Sequence, residues 1–368
     1  MHLSDTSNTA NLIKYQGEQL DIALALSKRG NFEESRKILA RLDKRDLRVE
    51  FNLGWHLIRE KKLKEGFDKL SAGRWINVFG SPMPNWKSLN KKNVPIYNNE
   101  NLKDKHVLLL GEGGLGDEII TIRFCQQLHD KGARVIVGCD DKLICLFKTI
   151  PYISSFVDRK GPEFVYCDYW IPAMSIPSIL NLEYNDVNGS PYLFTQKKRS
   201  LPGNKLNKLK VGIKWAGNPE YEHDLLRTLP FANILDVTST EGIDFYSLQK
   251  DRLNELEGIK TLPFWDLAPE LKTWTDTMEI INSLDLVITS CTSIAHLAGA
   301  MGKPTWVVAP ILSYYTWAVP GNKTRWYDSV TLFRQTVFED WNEPFAQVKK
   351  NLQLIIEGKL DLLCRPLL

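Results

Sequence analysis

Two kinds of hydrophobic spacing divide this chain. Up to about residue 90, apolar positions recur three or four residues apart, which predicts amphipathic helices with Leu20, Leu24, Phe32, Leu39, Leu53, Leu57 and Phe67 mostly buried. The segment Ser27 to Leu42, SKRGNFEESRKILARL, aligns with Ile58 to Gly73, IREKKLKEGFDKLSAG, at an offset of 31, pairing Phe32 with Leu63, Glu34 with Glu65 and Ile38 with Lys69. Each such hairpin hides one apolar stripe against its neighbour. Two units are too few for a free-standing solenoid, so this module is expected to dock on the next domain of the chain. GRWINVFGSPMPNW (Gly73 to Trp86) has the Gly, Pro and aromatic content of a packed joint, and Ser88 to Asn101 reads as a polar linker.

From His106 the helical spacing gives way to short continuous apolar runs separated by helical ones. HVLLLGE, a helix from Glu118 to Lys131, RVIVGCD, a helix from Lys142 to Phe147, SSFVDR and DYWIPAM predict an open, mainly parallel α/β sheet. A break at SLPGNKLNKLK (Ser200 to Lys210) precedes a second series: VGIKWAG, IDFYSLQ, a helix around Asp276 to Ser283, a strand over Leu284 to Ile288, a helix over Ile294 to Met301 and a strand over Thr305 to Ala309. The expected units are residues 1–87 (helical), 88–203 and 204–342 (α/β), and 343–368, a helix that crosses back to brace them.

LDLVITSCTSIAHLAGAMGKPTWVVAP, ending at Pro310, is strand, polar turn, helix and strand. Thr289, Ser290, Thr292 and Ser293 gather hydroxyls where the helix must begin, beside its unpaired backbone N–H groups. Four hydroxyls exceed what one cap needs, and such a turn suits a phosphate, to which His296 in the first helical turn adds a donor. A second turn, LLLGEGGLGDEIITIRF (Leu108 to Phe124), carries Gly113, Gly114 and Gly116, which permit a tight bend before a helix. It lacks the acidic ribose-binding residue of a dinucleotide site. Asp117 at that helix start serves equally as a cap or as a cleft-facing carboxylate able to take a proton. The third stretch, VGIKWAGNPEYEHDLLRTLPF (Val211 to Phe231), places Lys214, Asn218, His223, Asp224 and Arg227 in a loop beyond a strand, where cations and an amide suit a pyrophosphate.

Composition narrows the class. With 43% hydrophobic and 25% charged residues the chain is an ordinary globular protein. No apolar run reaches a membrane span, and MHLSDTSNTA lacks the features of a signal peptide, so the expected location is cytoplasmic. Six irregularly spaced cysteines without C-x-x-C are expected to be free thiols. Scattered histidines give no zinc motif, and there is no D-x-D, so no metal and no cofactor are expected. The net charge of +3 is uneven: residues 1–102 hold 18 Lys/Arg against 12 Asp/Glu, a bias that an ordinary solvated helix surface accommodates.

In order along the chain, GLGDE, KWAGNP with a downstream Arg-Thr-Leu-Pro, FYSLQ (Phe245 to Gln249), LDLVIT-x-x-T-S-x-A-HLAGA-x-GKP and RWYDSVTLFRQ resemble the two-domain GT-B glycosyltransferases. Nearest in character are tetratricopeptide-linked glycosyltransferases related to the ADP-heptose transferases of lipopolysaccharide assembly. The resemblance implies a GT-B fold of two Rossmann-like α/β domains behind a tetratricopeptide-like helical module. It also implies a metal-independent, usually inverting transfer from a nucleotide-sugar, with the acceptor on the N-terminal α/β domain and the donor on the C-terminal one. Asp117 matches the general base. Lys214, Asn218, Arg227, Gln249, Ser290, Thr292, Ser293 and His296 match the donor-binding loops. Cys291 departs from the pattern, since heptosyltransferases usually have aspartate before the threonine, and heptose as the sugar loses support. Tyr314, Tyr315 and Trp317, in the aromatic stretch Ile311 to Trp326, are placed to stack on a base or sugar, while Trp326 is expected in the core. A protein, a glycan or lipid-linked glycan, and a hydroxylated DNA base all stay open as acceptor, as does oligomeric state. The rival readings are a sugar-nucleotide epimerase of the same fold and a non-catalytic adaptor that retains a nucleotide site.

Overall fold

The computed structural model describes residues 4–76, 78, 89–161, 165–203, 208–220, 224–251, 253–256 and 261–359. Four helices open it: α1 (Ser4–Lys28), α2 (Phe32–Arg41), α3 (Leu47–Arg59) and α4 (Leu63–Leu70), with α1 packed on α2 and α3 on α4. Asp46 caps α3, its carboxylate accepting from the Arg48 amide at 3.0 Å. Of the apolar stripe, Leu20, Leu39, Leu53, Leu57 and Phe67 are buried, whereas Leu24 and Phe32 are only half-buried. Phe32 lies at the module's edge, where the Arg59 guanidinium sits 3.7 Å above its ring. Most of the expected joint, 77 and 79–86, lies outside the described residues.

Two wholly parallel sheets come next. The first has order β3-β2-β1-β4, from β1 (His106–Leu110), β2 (Arg134–Cys139), β3 (Ile153–Asp158) and β4 (Tyr169–Pro172). The second has order β10-β9-β8-β5-β6-β7, from β5 (Leu209–Lys214), β6 (Ile243–Ser247), β7 (Trp265–Asp266), β8 (Leu286–Thr289), β9 (Thr305–Ala309) and β10 (Val330–Arg334). Strands β8 and β9 are buried throughout, which is why they read as continuous apolar runs rather than alternating ones. In each sheet the first strand has neighbours reached in opposite directions, β2 and β4 around β1, β6 and β8 around β5. Such switch points open a crevice beyond the strands' carboxyl ends. Both motif-bearing turns lie there.

The helix expected over Glu118 to Lys131 is divided into α5 (Leu115–Thr121), a 3-10 turn (Ile122–Phe124) and α6 (Cys125–Asp130). Thr121 Oγ1 donates to the Asp117 carbonyl at 2.9 Å, a back-bond that bends helices, within a β-branched run of weak helix propensity. Helices α7 (Asp141–Phe147) and α8 (Ile176–Ile179) complete this half. The second half adds α9 (Asp224–Arg227), α10 (Phe231–Thr238), α11 (Trp274–Ser283), α12 (Ser293–Ala300) and α13 (Asn342–Ile356). Helix α10 and strand β10 are not evident in the sequence. The β-branched content of residues 231–240 blurs the helical period, and Val330 to Arg334 sits among aromatic motif residues. Of the expected bracing segment 343–368, the described part packs on the second sheet: Phe345, Val348 and Leu352 of α13 share a core with Ile234, Val237 and Phe333, and Lys349 pairs with Asp236 at 2.6 Å.

The helical module contacts both sheets. Arg74 forms a forked pair with Glu112 of the glycine turn, at 2.5 and 2.9 Å, and Glu112 also accepts from the Met174 amide at 3.0 Å. Trp55 and Phe67 pack on the loop after β9, with ring centroids 5.4 Å from Tyr314 and 5.1 Å from Tyr315, and Arg59 donates to the Ala318 carbonyl at 3.1 Å.

Candidate functional site

The two halves meet where α5 and α12 begin. Gly116 lies so close to α12 that a Cβ there would stand 3.1 Å from His296 Cδ2 and 3.6 Å from Ser293 Cα. A side chain at this position would need the His296 ring, stacked on Trp317, to give by a few tenths of an ångström. Gly113 adopts φ +72°, a conformation costly for other residues, and turns the chain so that the Gly114 amide donates to Asp117 Oδ2 at 2.8 Å. Asp117 therefore does cap its own helix, but only with one oxygen. Its Oδ1 accepts a short hydrogen bond from the Tyr314 hydroxyl, which reaches across from the second sheet's loop. Burial pushes the Asp117 carboxyl above the usual carboxylate range, against the pull of Tyr314, the Gly114 amide and Arg159.

Behind Asp117 stands Glu118, a group that nothing in the sequence motifs singles out. It is turned away from the cleft, 2.9 Å from Arg159 Nε in a poorly aligned ion pair, and accepts from the Asp140 amide at 2.8 Å. Arg159 in turn donates to the Gly113 carbonyl at 3.0 Å, so this buried pair holds the glycine turn from behind. Burial raises the Glu118 carboxyl to about 7. Between its ordinary value of 4.5 and about 7 the folded chain keeps a proton that the unfolded chain has lost, so this group's stabilising contribution falls as pH rises through that window. Burial lowers His56 to about 4 and His296 to about 3, and these pull the opposite way below pH 6.5. The comparison that isolates Glu118 is therefore between variant and wild type. Glu118→Gln should gain stability relative to wild type as pH rises from 5 to 8, read from urea midpoints at each pH. A constant difference would mean that Glu118 does not titrate in this window.

On the other side, the predicted donor residues divide by environment. Thr289 and Thr292 hydroxyls bond to each other at 3.1 Å, and Ser290 Oγ is buried with no partner. Ser293 begins α12 and remains half-exposed. His296 is buried, stacked flat on Trp317 at 5.2 Å, with Nδ1 3.3 Å from the Tyr327 hydroxyl. It is neutral at any ordinary pH, so the donor it offers is a neutral N–H. Lys214 ends β5, buried, and its carbonyl accepts from the Ser290 amide at 3.0 Å. Arg227 Nη1 donates to the Cys291 carbonyl at 2.9 Å, and Nε donates to Asp224 at 2.9 Å. Gln249 Oε1 accepts from the Trp215 and Ala216 amides at 3.3 and 3.0 Å, while its Nε2 is buried and unpartnered. Asn218 stands apart on the exposed loop tip, its side chain accepting from the Glu220 amide at 3.1 Å. His223 lies outside the described residues.

The aromatic expectation needs correction. Tyr315 and Trp317 are 1% and 0% exposed, the first against Phe67 and Trp326, the second against His296 and Tyr327, so neither has a ring face left for a base or sugar. Tyr314 is half-buried between Trp55 and Asp117. Trp326 is core, as its loop position suggested. Cys291, the departure from the motif, accepts from Trp317 Nε1 at 3.2 Å, and burial raises its thiol, so it presents no charge.

No family model and no curated protein matches this sequence. Solved structures do. A family 9 glycosyl transferase from Veillonella parvula DSM 2008 is similar over 71% of this chain and 100% of its own, with TM-score 0.52 and 13% identity, and the chain shares its fold. The glycosyltransferase TibC from enterotoxigenic E. coli H10407 (71% of this chain, 76% of its own, TM-score 0.46, 13% identity) and E. coli ADP-heptose lps heptosyltransferase II (69% and 99%, TM-score 0.44, 11%) are more distant. TibC is described as iron-containing, and this overturns the expectation that no metal is involved. A missing D-x-D does not decide that question, and metal independence is not carried forward. No helix among the described residues is long and apolar enough to cross a membrane.

Proposed function

We propose that this chain transfers a sugar from a nucleotide-sugar to an acceptor hydroxyl, with the first sheet's half on the acceptor side and the second on the donor side. The observation that carries the reading is the hydrogen bond from Tyr314 to Asp117 beside the hydroxyl turn. An O–H already donates to the carboxylate oxygen left over from capping. An acceptor hydroxyl that displaced Tyr314 would find the same oxygen, and Asp117 would take its proton as the new glycosidic bond forms, consistent with inversion at the anomeric carbon. As the bond from the anomeric carbon to the donor's phosphate breaks, the diphosphate of the departing nucleotide would be received by the start of α12 at Ser293, with Arg227 and Lys214 beside it and the spare donor of Gln249 at the strand ends. The raised carboxyl suits a base, because it takes up the acceptor's proton more readily than an ordinary carboxylate would. Glu118 faces Arg159 and not the cleft, so the pair Asp117–Glu118 does not offer the two acids that an epimerase would use.

Incubating the protein with labelled nucleotide-sugars and a panel of acceptors decides the matter. Labelled transfer supports the reading, an epimerised donor would replace it with the isomerase, and binding without either would leave an adaptor. Thermal shift against the same panel identifies the donor, since ligand binding to the folded state raises stability with concentration.

One substitution tests the donor side specifically. A Cβ on Gly217 would fall on the Arg227 guanidinium, 2.7 Å from Cζ, and 2.8 Å from Asp224 Oδ1. The guanidinium is the end of a flexible side chain, so Gly217→Ala should displace Arg227; buried Asp224 would lose this ion pair, so a denaturant midpoint accompanies the binding measurement. Loss of one charged hydrogen bond, about 1.5–3 kcal/mol, corresponds to nucleotide-sugar binding weaker by about tenfold or more. Calorimetric affinity equal to wild type would remove Arg227 from the donor site.

A further inference from the structure

A cavity of about 390 Å³ lies between the turn joining α1 to α2 and the carboxyl ends of β9 and β10. Its wall carries Arg29, Arg59 and Arg334, and none of the residues that line it is acidic. Among the described residues none of these three guanidiniums is paired with a carboxylate. Two are fixed in place. Arg334 donates to the Gly321, Trp317 and Val319 carbonyls at 2.6, 2.7 and 2.8 Å and to Ser313 Oγ at 3.3 Å. Arg59 is held over Phe32 and by the Ala318 carbonyl. Arg29, one residue beyond α1, is exposed at the rim. Asn31 adds an amide to the wall, as does Gln335, whose Oε1 accepts from the Ile311 amide at 3.3 Å. The adjoining acid, Glu343, is occupied by the Thr336 hydroxyl.

Three like charges around one hollow repel one another, and an anion among them would offset that repulsion. Burial and Arg59 together bring Arg334 down to about 10, in keeping with that repulsion. Guanidinium N–H groups match the oxygens of a phosphate: Arg29 at the rim would offer a fork, whereas Arg334, with four of its N–H groups already on acceptors, would add one Nη1 hydrogen and its charge, and the volume suits a small polar ligand. We propose that this cavity binds a phosphorylated polyol the size of a sugar phosphate, its phosphate held by Arg29, Arg59 and Arg334 and its hydroxyls by Asn31 and Gln335. The site is separate from the turn at Ser293 and lies two strands from β5, on the side of the second sheet that the helical module covers. Two elements from different parts of the chain build it, so its ligand would tie the module to the second sheet.

The test is binding alone and does not depend on any transfer activity. Isothermal titration of the full chain with a hexose 6-phosphate should show saturable binding, and the unphosphorylated hexose none. Arg29→Glu, at an exposed position outside the packed core, should weaken the hexose phosphate at least tenfold with an unchanged circular dichroism spectrum, and Arg59→Lys should weaken it less. Arg227→Ala should leave it unaltered. Three results would each overturn the proposal: no heat from the phosphorylated sugar, wild-type affinity in Arg29→Glu, or a loss in Arg227→Ala as large as in Arg29→Glu. The last would put the phosphate at the turn of α12 instead.

Discussion

Asp117→Asn should lower sugar transfer by about 10³-fold while leaving nucleotide-sugar affinity within roughly threefold, since it removes proton acceptance and keeps the shape of the cap. The fold should not suffer with it. Burial raises this carboxyl, so above the ordinary carboxylate range the folded chain is penalised for the charge that the unfolded chain carries freely, and that penalty grows as pH rises through the folded value. An amide carries no such penalty. At neutral pH the variant should therefore be as stable as wild type or more so, with its advantage disappearing below the ordinary carboxylate range. Inactivity joined to undiminished stability marks a group kept for chemistry. Single-turnover rates near wild type would remove Asp117 as base, and a large loss of stability would make it a cap and nothing more.

Arg123→Ala should destabilise the protein by about 3 kcal/mol, because it empties a buried site and leaves its acceptors without a donor. The guanidinium donates to the Ile120, Asn188 and Trp326 carbonyls at 3.0, 3.2 and 2.6 Å and to the Tyr192 hydroxyl at 3.0 Å, and lies 4.6 Å from the ring centres of both Tyr192 and Tyr327. Tyr192 passes the connection on, donating to the Ile119 carbonyl at 2.8 Å. One side chain thus fastens α5's end to the linking segment and to the loop before β10. Arg123→Lys should recover little, because an ammonium cannot span partners arranged around a planar fork. Denaturant midpoints give the measure, and a loss below about 1 kcal/mol would show that the surrounding aromatics hold the seam without it.

Much of this architecture is legible because burial leaves a local trace. Strands covered on both faces must be apolar at every position, so β1, β2, β8 and β9 announce themselves, and the helical stripe does likewise at its own period. The turns are legible for a related reason: glycines and hydroxyls concentrate where backbone must bend or begin a helix. What stays hidden is direction. Tyr314 and Tyr315 are neighbours in one aromatic stretch, yet one reaches Asp117 while the other is sealed against Phe67, and only the path of the loop after β9 decides which. Asp117 and Glu118 are likewise adjacent carboxylates with opposite facings, set by Tyr314 in front and Arg159 behind. The Arg29, Arg59 and Arg334 cluster joins residues up to 305 positions apart, and no periodicity reports a contact of that range.

The attachment of the helical module to both sheets constrains how the cleft can breathe. Arg74 grips Glu112 on one side, and Arg59 with Trp55 holds the loop of Ala318 and Tyr314 on the other. Swinging the two halves apart as rigid bodies would strip the module from one of them, so a hinge that two such units would have on their own is splinted. For the proposed transfer, entry and exit would then depend on smaller local displacements, above all of the loop that carries Tyr314. If the proposed transfer holds, residues 55–74 join the Arg123 seam in setting how far Asp117 stands from Ser293, and loosening that splint would alter release rates without touching any group that meets a substrate.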